Sequence, residues 1–219
     1  MTPFAGHLAS LVADELTSIQ GGQHGYATRN VRTWPCISGE ATPPTFSVVS
    51  GGDLPAYSSA APGRPAILHG AATVDDQSVV TWPKPPRVSI DSLAVLSLRW
   101  QVYIVTKPTG NGGGMFLTMG AYQFLATTAS GFWQVRAGAT TTVTTVTYSA
   151  GVWYDLRVKF TATSVLFYID GVLVHTDTIT PLAVDGITSG PTANLYHGNT
   201  GGVAATAYTA FHEQTWEAA

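Results

Sequence analysis

Charge is scarce in this chain. Ten Lys and Arg and 13 Asp and Glu serve 219 residues, so charged residues make up 11% of it, against roughly 25% in an ordinary globular protein. Disorder needs high charge and few aromatics, so the composition excludes a disordered chain. The few basic residues are scattered, which leaves no basic stripe for nucleic acid. Cysteine is nearly absent. Cys36 stands alone, so no intramolecular disulfide can form, and folding in a reducing compartment is expected. Residues 1–20 hold no Lys or Arg and carry Asp14 and Glu15, which is not the basic start of a secretory signal. No apolar run approaches the ~18 residues of a membrane helix, so no membrane insertion is expected. Glutamate is rare too, at positions 15, 40, 213 and 217 only. None of these sits with an Asp in the spacing that glycoside hydrolysis requires of its paired carboxylates. His residues lack zinc spacing, and Gly110–Gly114 lacks the Lys-Ser/Thr of a phosphate loop. The expectation is a protein that is not an enzyme and takes no cofactor.

Threonine, alanine, glycine and alternating apolar residues are what the chain has in plenty. The first segment reads as a helix: Thr2 caps, Pro3 suits the first position, and Leu8, Leu11, Val12, Leu16 and Ile19 share a face. That stripe either covers the chain's own core or forms an assembly arm that docks on a neighbour. Residues 21–64 are rich in Gly, Pro and Ser, with a short strand at Phe46–Ser50, and are expected to wrap over a surface. The predicted division is therefore an N-terminal helix and extended arm over 1–62, then a β-sandwich over 63–219.

From Arg64 onward the pattern is β. Short strands are predicted at Pro65–His69 and Ser78–Trp82. A long one follows at Leu93–Thr106, in which Leu96, Leu98, Trp100, Val102 and Ile104 alternate with Ser97, Arg99, Gln101 and Tyr103. Met115–Met119, Tyr122–Thr127 and Phe132–Ala137 come next, and Thr140–Thr147 belongs on an edge because it offers little apolar surface. Val152–Phe160 alternates again. Asp170-Gly171 between two alternating runs predicts a type I′ hairpin. The turn sets the pairs Ile169–Val172, Phe167–Val174 and Val165–Thr176 on the core side, and Tyr168–Leu173 and Leu166–His175 on the outer side. Asn194–Gly198 and Thr206–Trp216 close the list of strands. Many strands between Gly/Pro turns predict an all-β, two-sheet antiparallel sandwich.

The run Gly151-Val152-Trp153-Tyr154-Asp155-Leu156-Arg157-Val158, followed by Leu166-Phe167-Tyr168-Ile169-Asp170-Gly171-Val172-Leu173-Val174, resembles concanavalin A-like lectin/glucanase domains, which include laminin-G-like modules. Gly63-Arg64-Pro65-Ala66-Ile67-Leu68-His69-Gly70 is similar to an early strand of such domains in phage structural proteins. The likeness spans about residues 63–216, with its specific motif in Trp153–Val174. It implies a jelly-roll sandwich, a fold that hosts lectins, glycosidases, adhesion modules and virion parts.

Combined with the low charge, it yields the expectation of a virion accessory protein of a tailed bacteriophage. A capsid decoration protein comes first and a tail or fibre component second. Its partners would be other virion proteins and a host-surface glycan, present in many copies or as a homo-oligomer, and made in the host cytoplasm without a signal peptide. A carbohydrate-binding module is the alternative, and a glycoside hydrolase the remote one. Trp133, Trp153 and Tyr168 are candidate stacking residues, each read as facing away from its strand's buried set. Leu166, Leu173 and His175 are candidate partner contacts on the same outer face. His175 with Asp177 either orients a ligand or is a surface pair, and Asp75-Asp76 either supplies calcium ligands or is a solvated turn.

Overall fold

The computed structural model describes residues 29–34, 43–50, 53–71, 75–83, 93–107, 113–127, 131–161, 163–178, 190–197 and 205–218. The helix expected between Thr2 and the stop at Gly21-Gly22, with its face of Leu8, Leu11, Val12, Leu16 and Ile19, lies outside the described residues.

The described strands, in chain order, are β1 (Arg29–Trp34), β2 (Thr45–Val49), β3 (Asp53–Ser58), β4 (Ala66–Ala71), β5 (Gln77–Thr81), β6 (Leu93–Thr106), β7 (Gly114–Met119), β8 (Tyr122–Thr127), β9 (Phe132–Ala137), β10 (Thr140–Thr147), β11 (Trp153–Phe160), β12 (Ser164–Ile169), β13 (Val172–Thr178), β14 (Thr192–Tyr196) and β15 (Ala205–Ala218). Among the described residues they make two sheets, of eight and seven strands. The first runs β13-β12-β11-β6-β15-β4-β3, with β1 also paired to β15; the second runs β10-β9-β8-β7-β14-β5-β2. Every pairing between them is antiparallel, as in β6 with β11 and β15. The predicted all-β, two-sheet jelly-roll sandwich is the fold observed. Three strands ahead of residue 63 belong to the sheets, so the sandwich draws on residues 29–58 as well as on the segment from 63 onward.

Period-two alternation explains why the sheets face each other. Leu96, Leu98, Trp100, Val102 and Ile104 of β6 are buried, as are Tyr154, Leu156, Val158 and Phe160 of β11. Met115, Leu117, Phe124, Val135 and Leu195 meet them from the second sheet. Edge-to-face rings bridge the layers: Phe124 with Phe167 at 5.3 Å, Tyr122 with Phe160 at 5.2 Å, and Trp133 with Tyr154 at 5.3 Å. Each such pair adds about 0.5–1.5 kcal/mol beyond its buried area. β10 lies at the edge of its sheet, as its threonine-rich composition predicts.

The hairpin departs from its predicted register after two pairs. Asp170 and Gly171 have φ of 50° and 80°, as a type I′ turn requires, and Ile169 faces Val172 and Tyr168 faces Leu173. Val174 is then an extra residue, and Phe167 faces His175, Leu166 faces Thr176 and Val165 faces Asp177. The expected pairs Phe167–Val174, Val165–Thr176 and Leu166–His175 are therefore replaced. A bulge on an edge strand costs only one ladder position and twists the edge. Three consecutive apolar residues, Val172 to Val174, hide it from a period-two reading. Phe167 is buried as expected, whereas Val174 is half-buried against the core.

The end of the core formed by β4, β5 and β15 is polar. His69 bridges the sheets, its Nδ1 3.2 Å from the Ser78 carbonyl and its Nε2 2.9 Å from the Thr209 hydroxyl. A carbonyl only accepts, so Nδ1 carries the proton and Nε2 accepts from Thr209: both ring nitrogens are satisfied in the neutral form. His212 stacks on Trp82 at 4.6 Å and lies 5.3 Å from Trp100. The Gln214 amide, 3.2 Å away, also donates to the Pro83 carbonyl at 2.8 Å. Burial lowers His69 to about 4 and His212 to about 3, because a charged imidazole is poorly solvated there.

Space is open around a Cβ added at Gly171, so the cost of Gly171→Val is conformational, at about 1–2 kcal/mol for an L-residue in the left-handed region. Tm should fall by several degrees, and by much less for Gly171→Asn; an unchanged Tm for the valine variant would sink the turn assignment. The histidines make stability pH-dependent. Their folded pKa values lie below the unfolded value of about 6.5, so the unfolded chain binds more protons in acid. The stability is therefore intact above pH ~6.5 and drains away as pH falls toward 4 and then 3. Urea midpoints measured from neutral pH down to about 4.5 should decline steeply, and His69→Gln should flatten the slope. A pH-independent midpoint would contradict the buried neutral state.

Candidate functional site

The residues that alternate with the core on β6, β11 and β12 form the outer face of the eight-stranded sheet. Register sets them in rows across the strands. One row runs Glu213, Arg99, Arg157, Tyr168, Leu173 from β15 to β13. A second runs Leu68, Tyr208, Tyr103, Trp153 from β4 to β11. Between them, Gln101 faces Asp155.

The charged row opens into a cleft of about 450 Å³, lined by Arg99, Asp155, Arg157, Lys159, Tyr168, Asp170 and Gly171. Its floor is fixed. Arg99 Nε donates to both Asp155 carboxylate oxygens at 2.9 and 2.8 Å, and Nη2 closes an ion pair with Oδ2. That hydrogen-bonded carboxylate raises the Arg99 pKa further above its ordinary value. Asp155 and Asp170 also hold each other. The Asp155 N–H donates to Asp170 Oδ1 at 2.8 Å, and the Asp170 N–H donates to the Asp155 carbonyl at 2.7 Å. The hairpin turn therefore does a second job, locking one wall of the cleft to β11.

The aromatic row is partly occupied. Trp153 is half-buried, with the Arg64 guanidinium 4.7 Å over its ring, Tyr103 at 5.2 Å, and its Nε1–H donated to the Pro62 carbonyl at 3.0 Å. Arg64 in turn bonds Gln101. Trp153 does face outward as expected, but its ring is already capped.

The other sequence candidates divide. Tyr168 lines the cleft, Leu166 is half-buried next to Lys159 in register, and Leu173 is 48% exposed at the hairpin. Trp133 is a correction: it is 0% exposed and belongs to the core, because Trp133 and Val135, and not Phe132 and Gln134, carry the buried parity of β9. His175 is a second correction. The bulge at Val174 turns it toward Phe167, 5.9 Å away, and Asp177 shares that inward side opposite Val165. Asp75 accepts from the Tyr196 hydroxyl at 2.8 Å, and both Asp75 and Asp76 bond the backbone of His197, so this turn is tied to β14. Among the described residues no group of three or more His, Cys, Asp or Glu could hold a metal ion. Arg99, Asp155, Arg157 and Lys159 were missed as contact residues. The signal was present, since four outward positions on two neighbouring strands are charged in a chain with so few charges.

No protein-family model and no curated protein matches the chain. Among solved structures it is similar to a protein of unknown function from Shewanella oneidensis, at 13% identity over 100% of this chain and 95% of that one, with a TM-score of 0.59. It is similar to peanut lectin at 12% identity over 87% of this chain and 98% of that one, also with a TM-score of 0.59. A weaker likeness, TM-score 0.48 and 12% identity over 66% of this chain and 74% of that one, is to an alginate lyase from a Corynebacterium. At these identities the likeness concerns the fold: the chain is built as a jelly-roll sandwich of the lectin kind.

Proposed function

We propose that this chain is a non-catalytic recognition module that holds a saccharide in the cleft on the outer face of the eight-stranded sheet. The observation that carries this reading is the set of outward polar groups on adjacent paired strands. Arg157, Lys159 and Tyr168 surround a cleft whose floor is the locked Arg99–Asp155 pair. Polar groups held on rigid strands, with little to reorganise, suit a ligand rich in hydroxyls. The carboxylates support a non-catalytic role. Glycoside hydrolysis needs two carboxyl groups free to act on opposite sides of a bond. Here Asp155 is committed to Arg99, and Asp170 to the Asp155 N–H.

The virion role remains a second reading, favoured by one observation: Val172 and Leu173 at the hairpin tip are 62% and 48% exposed. Neighbouring apolar side chains left in water suit a surface that is covered in an assembly.

A saccharide array probed with the labelled protein separates the two. Saturable binding is expected, and Tyr168→Ala should weaken it at least about tenfold through loss of a side chain that contacts the ligand. Trp133→Ala should instead lower stability by about 3–5 kcal/mol, as emptying a core site does. No saturable binding to any saccharide, together with co-sedimentation on phage particles lacking the protein, would move the assignment to the virion reading.

A further inference from the structure

We propose that the cleft selects an acidic saccharide, one whose ring bears a carboxylate, and that Arg157 and Lys159 are the residues that select it. The inference rests on the saccharide reading above and adds the charge of the ligand.

One pair on this face is not explained by folding alone. Arg157 lies directly opposite Arg99 across β6 and β11. Like charges directly opposite on one sheet face destabilise it. Asp155 relieves Arg99 by ion pairing with it, and among the described residues none does the same for Arg157. Two residues along the same face of β11 stands Lys159, opposite Ser97 on one side and Leu166 on the other. Among the described residues neither Arg157 nor Lys159 has a carboxylate within ion-pair distance. The Tyr168 hydroxyl, across from Arg157, has no hydrogen-bond partner among them either. Two unpaired cations and a free hydroxyl thus share one wall of the cleft.

The neighbouring wall, at the hairpin turn, is of the other sign. Asp170 uses Oδ1 for the Asp155 N–H, and its second oxygen has no partner among the described residues. A ligand that fits both walls carries an anion at one end and donors at the other. A sugar carboxylate with ring hydroxyls has that composition, whereas a simple inorganic anion fills little of about 450 Å³ and leaves Asp170 without a donor. An extended peptide is disfavoured by position. The cleft lies over β6, β11 and β12, inside the sheet, where backbone groups are already paired and no strand can be added. An arginine presents a planar fork to a carboxylate, and a lysine adds a point charge, so the pair suits one carboxylate approached from the side.

The test uses matched oligosaccharides that differ only in a CH₂OH or a carboxylate on each ring, such as galactose and galacturonate, glucose and glucuronate, and mannose and mannuronate. Calorimetric titration at low ionic strength should give about tenfold tighter binding for at least one acidic member than for its neutral partner. Added salt should shrink that advantage. Arg157→Gln/Lys159→Gln should abolish the advantage by weakening the acidic member about tenfold more than its neutral partner, with Tm unchanged or raised because the like-charge pair is gone. Equal affinity for acidic and neutral members would overturn the selection while leaving the saccharide reading intact, as would a double variant that keeps the advantage. Displacement of the acidic sugar by polyglutamate at equal charge would overturn it in favour of unselective anion binding. Binding of neither member of any pair would take the saccharide reading down together with the proposal.

Discussion

The molecule depends on the pairing of β6 with β15. Each is 14 residues long, and residues 107–204 separate them in the chain. Together they form the spine of the eight-stranded sheet. The β11–β12–β13 segment extends from one flank of β6, and β4 and β1 share the far flank of β15. Their inward residues anchor the core and their outward residues supply Arg99, Gln101, Tyr103 and Glu213 to the outer face. Closing a loop of that length costs entropy before any contact rewards it, which is the signature of a slow-folding topology.

The division between an apolar core end and a polar one has a physical logic. Around β11 and β12, the contacts between the sheets are aromatic rings set edge to face. Around β4, β5 and β15, His69 and Gln214 reach from one sheet to backbone carbonyls on or just beyond β5 of the other. Apolar packing tolerates sliding, whereas a buried hydrogen bond at about 3 Å has one geometry. The polar end therefore fixes how the sheets sit on each other, and the apolar end supplies the larger share of the burial.

Legibility in the sequence followed length and alternation. β6 and β11 were readable because long period-two runs leave one choice of inner face, and the turn at Asp170-Gly171 was readable because its backbone demands those residue types. β1 and β3 were not, being short and weakly apolar, and β1 depends on β15, distant in sequence. Trp133 was misassigned because adjacent aromatic residues, Phe132 and Trp133, offer both parities. The bulge at Val174 escaped for the same reason, and with it the true facing of His175. The cleft escaped on different grounds. Arg99, Arg157 and Tyr168 come from three strands, and only cross-strand register makes them neighbours.

That bulge has a consequence for life at high local concentration. An open sandwich has free strand edges, and a long flat edge is a template on which another copy can add strand upon strand. Here β13 is interrupted at Val174, β10 shifts between Val143 and Thr147, and β3 carries Pro55 within a shift between Asp53 and Ala56. Each break leaves an incoming strand only a few backbone groups in sequence to pair with before the spacing fails. At these three edges, copies of this chain drawn together by a ligand or a surface are poorly matched to pair strand against strand, whereas β2, in unbroken register with β5, keeps a five-residue run.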